Sequence, residues 1–154
     1  MPKLDISSEQ IKKIRRILFS QEIEVHVKSE WGAQWERHSE EIHTALEKNK
    51  KKGDKFSISH THNMGGYVVL NSPGPWSLGF DIEVIDRVSP QVVRRVSFSK
   101  KEIEKAPSSE SLWTAKEACF KALQGPTQPT VISQIEIGSW TTYDSQIETY
   151  KMQN

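Results

Sequence analysis

The order of hydrophobic and polar residues divides the first half of the chain into two helices and three short strands. Apolar residues at helical spacing, after a pair of serines, predict an amphipathic helix over residues 7–18. Alternating apolar and polar residues predict a half-buried strand at 22–28, and helical spacing returns at 38–48. Two further strands are predicted at 55–60 and 66–70, joined by the hairpin-like sequence Asn-Met-Gly-Gly.

The second half begins after a break with the sequence SPGPW, which contains two prolines and a glycine. The elements predicted beyond it are a strand at 78–84, one or two short helices within 90–105, a helix at 110–123, and closing strands at 131–138 and 145–152. Both halves thus share the predicted outline of strand, helical segment, strand and strand. This outline predicts an α+β fold in one domain, 1–154, built as a pseudo-dimer of the halves 1–75 and 76–154. Each half is expected to hold a small, mainly antiparallel sheet packed on a helix.

Composition narrows the class of protein. The 154 residues include 21 basic and 20 acidic side chains, and the net charge of +1 gives no overall attraction to nucleic acid or to an anionic membrane. No apolar run approaches the roughly 20 residues that a membrane-spanning helix requires. The first residues lack the apolar stretch of a signal peptide, so a cytoplasmic location is expected. The single cysteine, Cys119, excludes an internal disulfide, and its apolar neighbours favour core packing over a nucleophilic role.

Two acidic residues interrupt an otherwise apolar segment of the second half. On a strand, Asp81 and Glu83 would project from the same face, where their carboxylates repel each other unless a cation, a basic group or solvent lies between them. An exposed strand face with Ile82 pointing inward explains the same pair. Taken alone, the two acids do not distinguish a binding site from a solvated surface.

A second group of polar residues follows one face of the longest helix predicted in this half. Trp113, Glu117 and Lys121 are spaced four residues apart and therefore line up along the helix. A solvated Glu–Lys pair beside a partly packed tryptophan would have the same spacing. Together, the carboxylates of Asp81, Glu83 and Glu117 form an oxygen-only set that suits Mg²⁺, which completes its octahedron with water and phosphate oxygens.

A histidine stands at the end of the strand predicted at 55–60. His60 has either a structural role or a role in ligand binding, and the residue alone does not decide between them. His62 beside it would suggest a zinc pair, but no cysteine or further histidine at ligand spacing completes such a site. We therefore exclude zinc.

In chain order, these features resemble the 4′-phosphopantetheinyl transferase superfamily. The family pattern is G-x-D-x-E, then F-S-x-x-E, then W-x-x-K-E-A-x-x-K, and its counterparts here are Gly79–Glu83, Phe98–Glu102 and Trp113–Lys121. The larger, surfactin-synthetase-activating subfamily also has an I-S-H-S-like element upstream, which Ile58–Thr61 resembles. The resemblance covers residues 55–123, and the helix motif is its most specific part.

The resemblance implies a holo-acyl-carrier-protein synthase activity. Such an enzyme transfers the 4′-phosphopantetheine group of coenzyme A to a serine of an apo acyl or peptidyl carrier protein and releases 3′,5′-ADP. The resemblance assigns Mg²⁺ to Asp81, Glu83 and Glu117. It also makes Glu117, or a water that Glu117 orients, the general base for the serine, with Glu83 as the alternative base.

Phosphate contacts are the other roles that the resemblance implies. Lys121 would bind a phosphate and offset the charge on the leaving group, while His60 and Lys116 would contact coenzyme A. A lysine-rich loop could add positive charge for the 3′-phosphate, or could simply be solvated; its lysines are Lys50, Lys51, Lys52 and Lys55. The chain is shorter than the larger subfamily, yet it has the I-S-H element that the smaller, trimeric subfamily lacks. It therefore resembles a compact version of the larger type.

Two other functions stay open at this point. The same acids would serve another small Mg²⁺-dependent phosphoryl enzyme, such as a pyrophosphatase or nuclease, and a non-catalytic homologue would only bind coenzyme A or a carrier protein. Retention of the acids together with Lys121 favours catalysis. Because one chain carries every motif, a monomer is expected, with a dimer that covers Trp31 and Trp35 as the alternative.

Overall fold

The structure is a computed structural model, and the residues that it describes are 8–18, 22–71, 74–123, 125–144 and 147–152. The chain forms two compact units, Met1–Ile82 and Glu83–Asn154, whose boundary comes later than the predicted SPGPW break. Parts of three predicted elements lie outside the described residues: Ser7 of the first helix, Ser72 and Pro73 of the break, and Ser145 and Gln146 of the last strand. Within the described ranges, no helix is long and apolar enough to cross a membrane.

The first unit is built on a three-stranded antiparallel sheet. Its elements are helix α1 (Ser8–Ile17), strand β1 (Ile23–Lys28), helix α2 (His38–Asn49), strand β2 (Lys55–Thr61) and strand β3 (Met64–Leu70), with a 3₁₀ turn at Ser29–Trp31. The strand order is β1-β3-β2, so β3 is central and β2 is an edge strand. Val68 of β3 pairs with Val25 of β1 and with Ser57 of β2.

The central strand is apolar on both faces because both faces are covered. Tyr67 and Val69 pack with Ile42 and Leu46 of α2, and these four side chains have no exposed surface. Val68 and its neighbours on the opposite face pack against α1 and the segment that follows β3, and this second cluster comprises Ile11, Ile14, Ile23, Val25, Val27, Leu70, Leu78 and Phe80. Successive side chains of a strand point to opposite faces, so the run GYVVL fills two layers of core.

The loop before α2 is held against the β2–β3 hairpin. The amide of Ala33 donates to the carbonyl of Thr61 at 2.8 Å, and the amide of Gln34 donates to the carbonyl of His62 at 3.3 Å. Gly65 permits this approach, because a Cβ there would lie less than 3.0 Å from the carbonyl oxygen of Trp31. The start of α2 is therefore fixed beside the end of β2.

The second unit contains three helices and a two-stranded hairpin. Its elements are helices α3 (Pro90–Val96), α4 (Lys100–Lys105) and α5 (Ser109–Ala122), 3₁₀ turns at Gly125–Thr127 and Ile132–Gln134, and antiparallel strands β4 (Ile137–Asp144) and β5 (Ile147–Met152). Each helix follows a serine N-cap whose hydroxyl accepts a backbone N–H of the first turn, namely Ser89, Ser99 and Ser108. The core comprises Val93, Leu112, Ala115, Cys119, Ile135 and Ile137. Cys119 is thus a core residue, as its neighbours predicted.

Most predicted elements are confirmed, and a mixed helix-and-sheet fold with a small antiparallel sheet is established. Two predicted strands are wrong. Residues 78–84 form no strand: serine side chains rather than a neighbouring strand bind the amides of Phe80 and Ile82. Residues 131–136 contain a 3₁₀ turn, so that β4 begins only at Ile137. Among its described residues, the second unit therefore lacks the first strand of the repeated outline, and a pseudo-dimer is not shown.

The close approach at Gly65 gives the first prediction. Gly65→Ala should lower the free energy of unfolding by about 1–3 kcal/mol, because the new methyl group meets backbone rather than a movable side chain. Gly53→Ala is the matched control, since nothing lies within 4 Å of the added Cβ and only the positive φ of 92° is unfavourable. Urea denaturation of both variants decides the matter, and a Gly65 variant no less stable than the Gly53 variant would contradict the packing described.

Candidate functional site

Two serine hydroxyls of β2 hold the segment that carries the first predicted acid. Ser57 Oγ accepts the amide of Phe80 at 3.0 Å, and Ser59 Oγ accepts the amide of Ile82 at 3.0 Å. The same Ser59 hydroxyl donates to Asp81 Oδ1 at 2.9 Å. Both serines are buried, so these bonds replace the strand ladder that the alternation of residues 78–84 predicted. Asp81 is half-buried, with its backbone fixed on either side.

Ser59 and His60 face opposite sides of β2, because successive strand residues alternate. Ser59 is buried on the side of Asp81, whereas His60 is exposed on the side of α2. The ring of His60 meets the ring of His38, the first residue of α2, edge to face, with centroids 4.6 Å apart and an interplanar angle of 73°. His38 was not among the residues singled out from the sequence.

Helix α5 places the three spaced residues of its motif on one face, as predicted. Trp113, Glu117 and Lys121 are each half-buried, at the boundary between core and solvent. The opposite face is formed by a fully or nearly buried stripe of Leu112, Ala115, Lys116, Ala118 and Cys119. Glu117 and Lys121 are thus partly exposed to solvent, whereas the stripe of Lys116 is not.

Lys116 does not have the position expected of a coenzyme A contact. Its side chain has no exposed surface, and its ammonium group donates to Glu102 Oε1 at 2.7 Å and to the carbonyl of Ile135. A cation enclosed and paired in this way is not accessible from solvent. Its position follows from the helix period, because Lys116 falls on the stripe that contains Leu112 and Cys119.

Glu102 joins three elements of the second unit and had no role assigned from the sequence. Its Oε1 accepts from Lys116 Nζ and from the amide of Phe98 at 3.0 Å, and its Oε2 accepts the amide of Ile137 at 2.7 Å. The N-cap Ser99 accepts the amide of Glu102 in return, at 3.2 Å. The F-S-x-x-E motif therefore acts much like a capping box, and Ser followed three residues later by Glu is the signal that could have revealed it.

The predicted metal ligands are distributed over both units. Asp81 belongs to the first unit, and Glu83 and Glu117 belong to the second. Glu83 Oε1 accepts the amide of Val84 at 2.7 Å, and the side chains of all three acids are half-buried. Among the described residues, no group of three or more His, Cys, Asp or Glu side chains forms a metal cage. Carboxylate oxygens are ligands that Mg²⁺ prefers, and this ion is usually bound through one or two carboxylates, waters and substrate phosphates rather than a dedicated cage.

The lysine-rich loop and the groove beside α2 complete the polar features. Lys50 pairs with Glu47 at 3.1 Å and lies 5.2 Å above the ring of Phe56, so it is already engaged. A groove of about 550 Å³ runs along α2, and its lining includes Trp31, Arg37 and Lys48. None of the site residues predicted from the sequence lines this groove.

Comparison with known proteins bears on the second unit in particular. A family model described as the 4′-phosphopantetheinyl transferase superfamily matches residues 77–153, which is half of the chain. The matched range includes Gly79–Glu83, Phe98–Glu102 and Trp113–Lys121, but not Ile58–Thr61. Searches of the curated proteins and of the solved structures gave no significant match.

The buried ion pair gives the second prediction. Lys116→Met should lower the free energy of unfolding by about 3–5 kcal/mol, because the carboxylate of Glu102 would stay buried without its cation. Lys100→Met is the matched control: the Lys100–Glu104 pair is exposed, with 89% and 61% of its side chains accessible. Such a pair contributes about 0–1 kcal/mol. Chemical denaturation that gave the two variants equal stability would contradict the role of the buried pair.

Proposed function

The chain belongs to the 4′-phosphopantetheinyl transferase superfamily, and on this premise we propose that it transfers the 4′-phosphopantetheine group of coenzyme A to a serine of an apo carrier protein. The proposal rests mainly on the burial of the motif side chains on α5. The helix buries Lys116 and presents Glu117 and Lys121, a carboxylate and an ammonium one turn apart, at the edge of the core. A base and a phosphate-binding cation are the two groups that this transfer needs from the protein.

We assign the chain to a compact version of the surfactin-synthetase-activating type. The support comes from Ile58–Thr61, which resembles the I-S-H-S-like element of that type. Ser59 holds the segment that carries Asp81, and His60 is exposed on the other face of the strand. Carrier protein and coenzyme A are the substrates that this assignment implies.

The proposed step is a displacement at the β-phosphorus of coenzyme A. The carrier serine oxygen forms a new bond to that phosphorus, the bond from phosphorus to the bridging oxygen breaks, and 3′,5′-ADP leaves. Glu117, or a water that it orients, accepts the serine proton, with Glu83 as the second candidate base. Lys121 offsets the negative charge that grows on the phosphate oxygens.

Mg²⁺ is the cofactor that fits the donor set of Asp81, Glu83 and Glu117. When bound, it would neutralise charge on the pyrophosphate of coenzyme A. The residues themselves supply oxygen ligands and orientation, since the Asp81 carboxylate is steadied by Ser59 and Glu83 by the amide of Val84.

The third prediction tests the acids. Asp81→Asn and Glu117→Gln should each lower the rate of transfer by roughly 10²-fold or more, because charge stabilisation in the reacting complex is lost. The measurement is the intact mass of apo-carriers from fatty-acid, polyketide and nonribosomal-peptide systems after incubation with coenzyme A and Mg²⁺. Glu104→Gln, at an exposed acid of α4, is the control and should be unchanged. Excess EDTA should stop the wild-type reaction.

Several results would contradict this proposal. Full activity in EDTA would contradict the role of Mg²⁺. Full activity of the Asp81 or Glu117 variant would contradict the role assigned to that residue. Hydrolysis of coenzyme A without mass gain on any carrier would favour another phosphoryl enzyme. Binding of coenzyme A with neither reaction would favour a non-catalytic homologue.

The fourth prediction concerns Lys121. Lys121→Ala should lower kcat by roughly ten- to a hundredfold, the usual contribution of a charge-assisted contact to phosphate. Lys105→Ala, at an exposed lysine in the last turn of α4, is the matched control and should leave kcat unchanged. Steady-state kinetics, with an apo-carrier that the wild-type protein modifies as substrate, separates the effect on kcat from the effect on KM. An effect on KM alone would make Lys121 a ground-state contact and contradict a role in the reacting complex.

A further inference from the structure

His38 and His60 belong to different elements of the first unit, and their rings are in contact. His60 is near the end of β2, His38 is the first residue of α2, and their ring centroids are 4.6 Å apart. The contact depends on the docked loop before α2, whose amides at Ala33 and Gln34 bind the carbonyls at the end of the hairpin. The pair is accessible, because His60 is exposed and His38 is half-buried.

One hydrogen bond determines which nitrogen of His38 is available to a ligand. His38 Nδ1 lies 2.7 Å from the carbonyl oxygen of Trp35. A carbonyl only accepts, so Nδ1 must carry a proton and donate it there. Nε2 is therefore the nitrogen that can serve a ligand, and it becomes a donor when the ring is protonated.

The electrostatics of this corner favour an anion. Rings whose centroids lie 4.6 Å apart leave no space for an anion between them, but an anion beside the pair can accept a ring N–H from each. Helix α2 begins at His38 without a side-chain cap from Arg37, so the positive end of its dipole adds to the same potential. The first turn of α2 contains two acids, Glu40 and Glu41. Glu40 is held by Arg37 through bonds of 2.7 and 3.0 Å, which lower the pKa of Glu40 and balance its charge locally.

We propose that His38 binds one phosphate group of coenzyme A together with His60, each ring donating a hydrogen bond to a phosphate oxygen. The inference rests on the proposed function and extends it to a residue that the family motifs do not include. His60 and Ser59 face opposite sides of β2, and Asp81 lies on the side of Ser59. The histidine pair therefore supplies a phosphate contact separate from that acid.

The fifth prediction tests this pair by calorimetric binding of coenzyme A and of dephospho-coenzyme A. His38→Ala should weaken coenzyme A binding by roughly tenfold or more, the usual effect of losing a charge-assisted bond to phosphate. His38→Asn should cause a similar loss, because its amide can still donate to the Trp35 carbonyl but nothing replaces Nε2. Dephospho-coenzyme A lacks the 3′-phosphate. A loss of affinity for coenzyme A alone therefore assigns the pair to the 3′-phosphate, and an equal loss of affinity for both ligands assigns it to the pyrophosphate.

His43→Ala is the matched control, because His43 is an exposed histidine of the same helix that takes no part in the contact between the His38 and His60 rings. Unchanged affinity of both His38 variants for both ligands would overturn the inference, and so would an equal loss in His43→Ala. Full affinity in His38→Asn with a loss only in His38→Ala would make His38 a structural residue and overturn it as well. Wild-type protein that binds neither ligand would overturn the proposed function instead.

Discussion

The buried ion pair between Glu102 and Lys116 is the constraint on which the second unit depends. A charge removed from water is unfavourable by several kcal/mol unless its partner and its remaining hydrogen bonds are all supplied. Here the carboxylate receives the ammonium group and the amides of Phe98 and Ile137, while the ammonium group also binds a carbonyl. These bonds place the first turn of α4, the rotation of α5 and the start of β4 in one arrangement.

The rotation of α5 is the link from this pair to chemistry. Residues in a helix are separated by about 100°, so a lysine fixed in the core determines where its neighbour points. With Lys116 inward, Glu117 and then Lys121 reach the boundary with solvent. The adjacent Lys-Glu of the motif thus combines one residue that anchors the helix with one that lies at the boundary with solvent. The first unit uses the same device on a strand, where Ser59 binds the segment of Asp81 and the next residue, His60, is exposed.

Sequence patterns predicted the elements that the local spacing of apolar residues determines. They failed where contacts with residues distant in the sequence determine the structure. Helices α1, α2 and α5 and the β2–β3 hairpin follow from their spacing of apolar residues. The segment around Asp81 alternates like a strand, but hydroxyls from β2 take its amides, and alternation does not report that. Lys116 was assigned to a ligand because it stands in a motif, although its position on the apolar stripe of α5 indicates burial. The contact between His38 and His60 was not predictable from the sequence. It depends on the loop before α2 packing against the β2–β3 hairpin, which is possible because Gly65 has no side chain.

This separation changes how loss of activity at a motif residue should be interpreted. Total stability of a domain is about 5–15 kcal/mol, and breaking a buried pair removes about 3–5 kcal/mol of it. An inactive variant at Lys116 or Glu102 therefore reports on folding before it reports on chemistry. Half-buried Glu117 and Lys121 are not members of that pair, so we expect their substitution to disturb the arrangement of α4, α5 and β4 less. Stability and activity measured together assign each motif residue either to the support of the site or to the reaction.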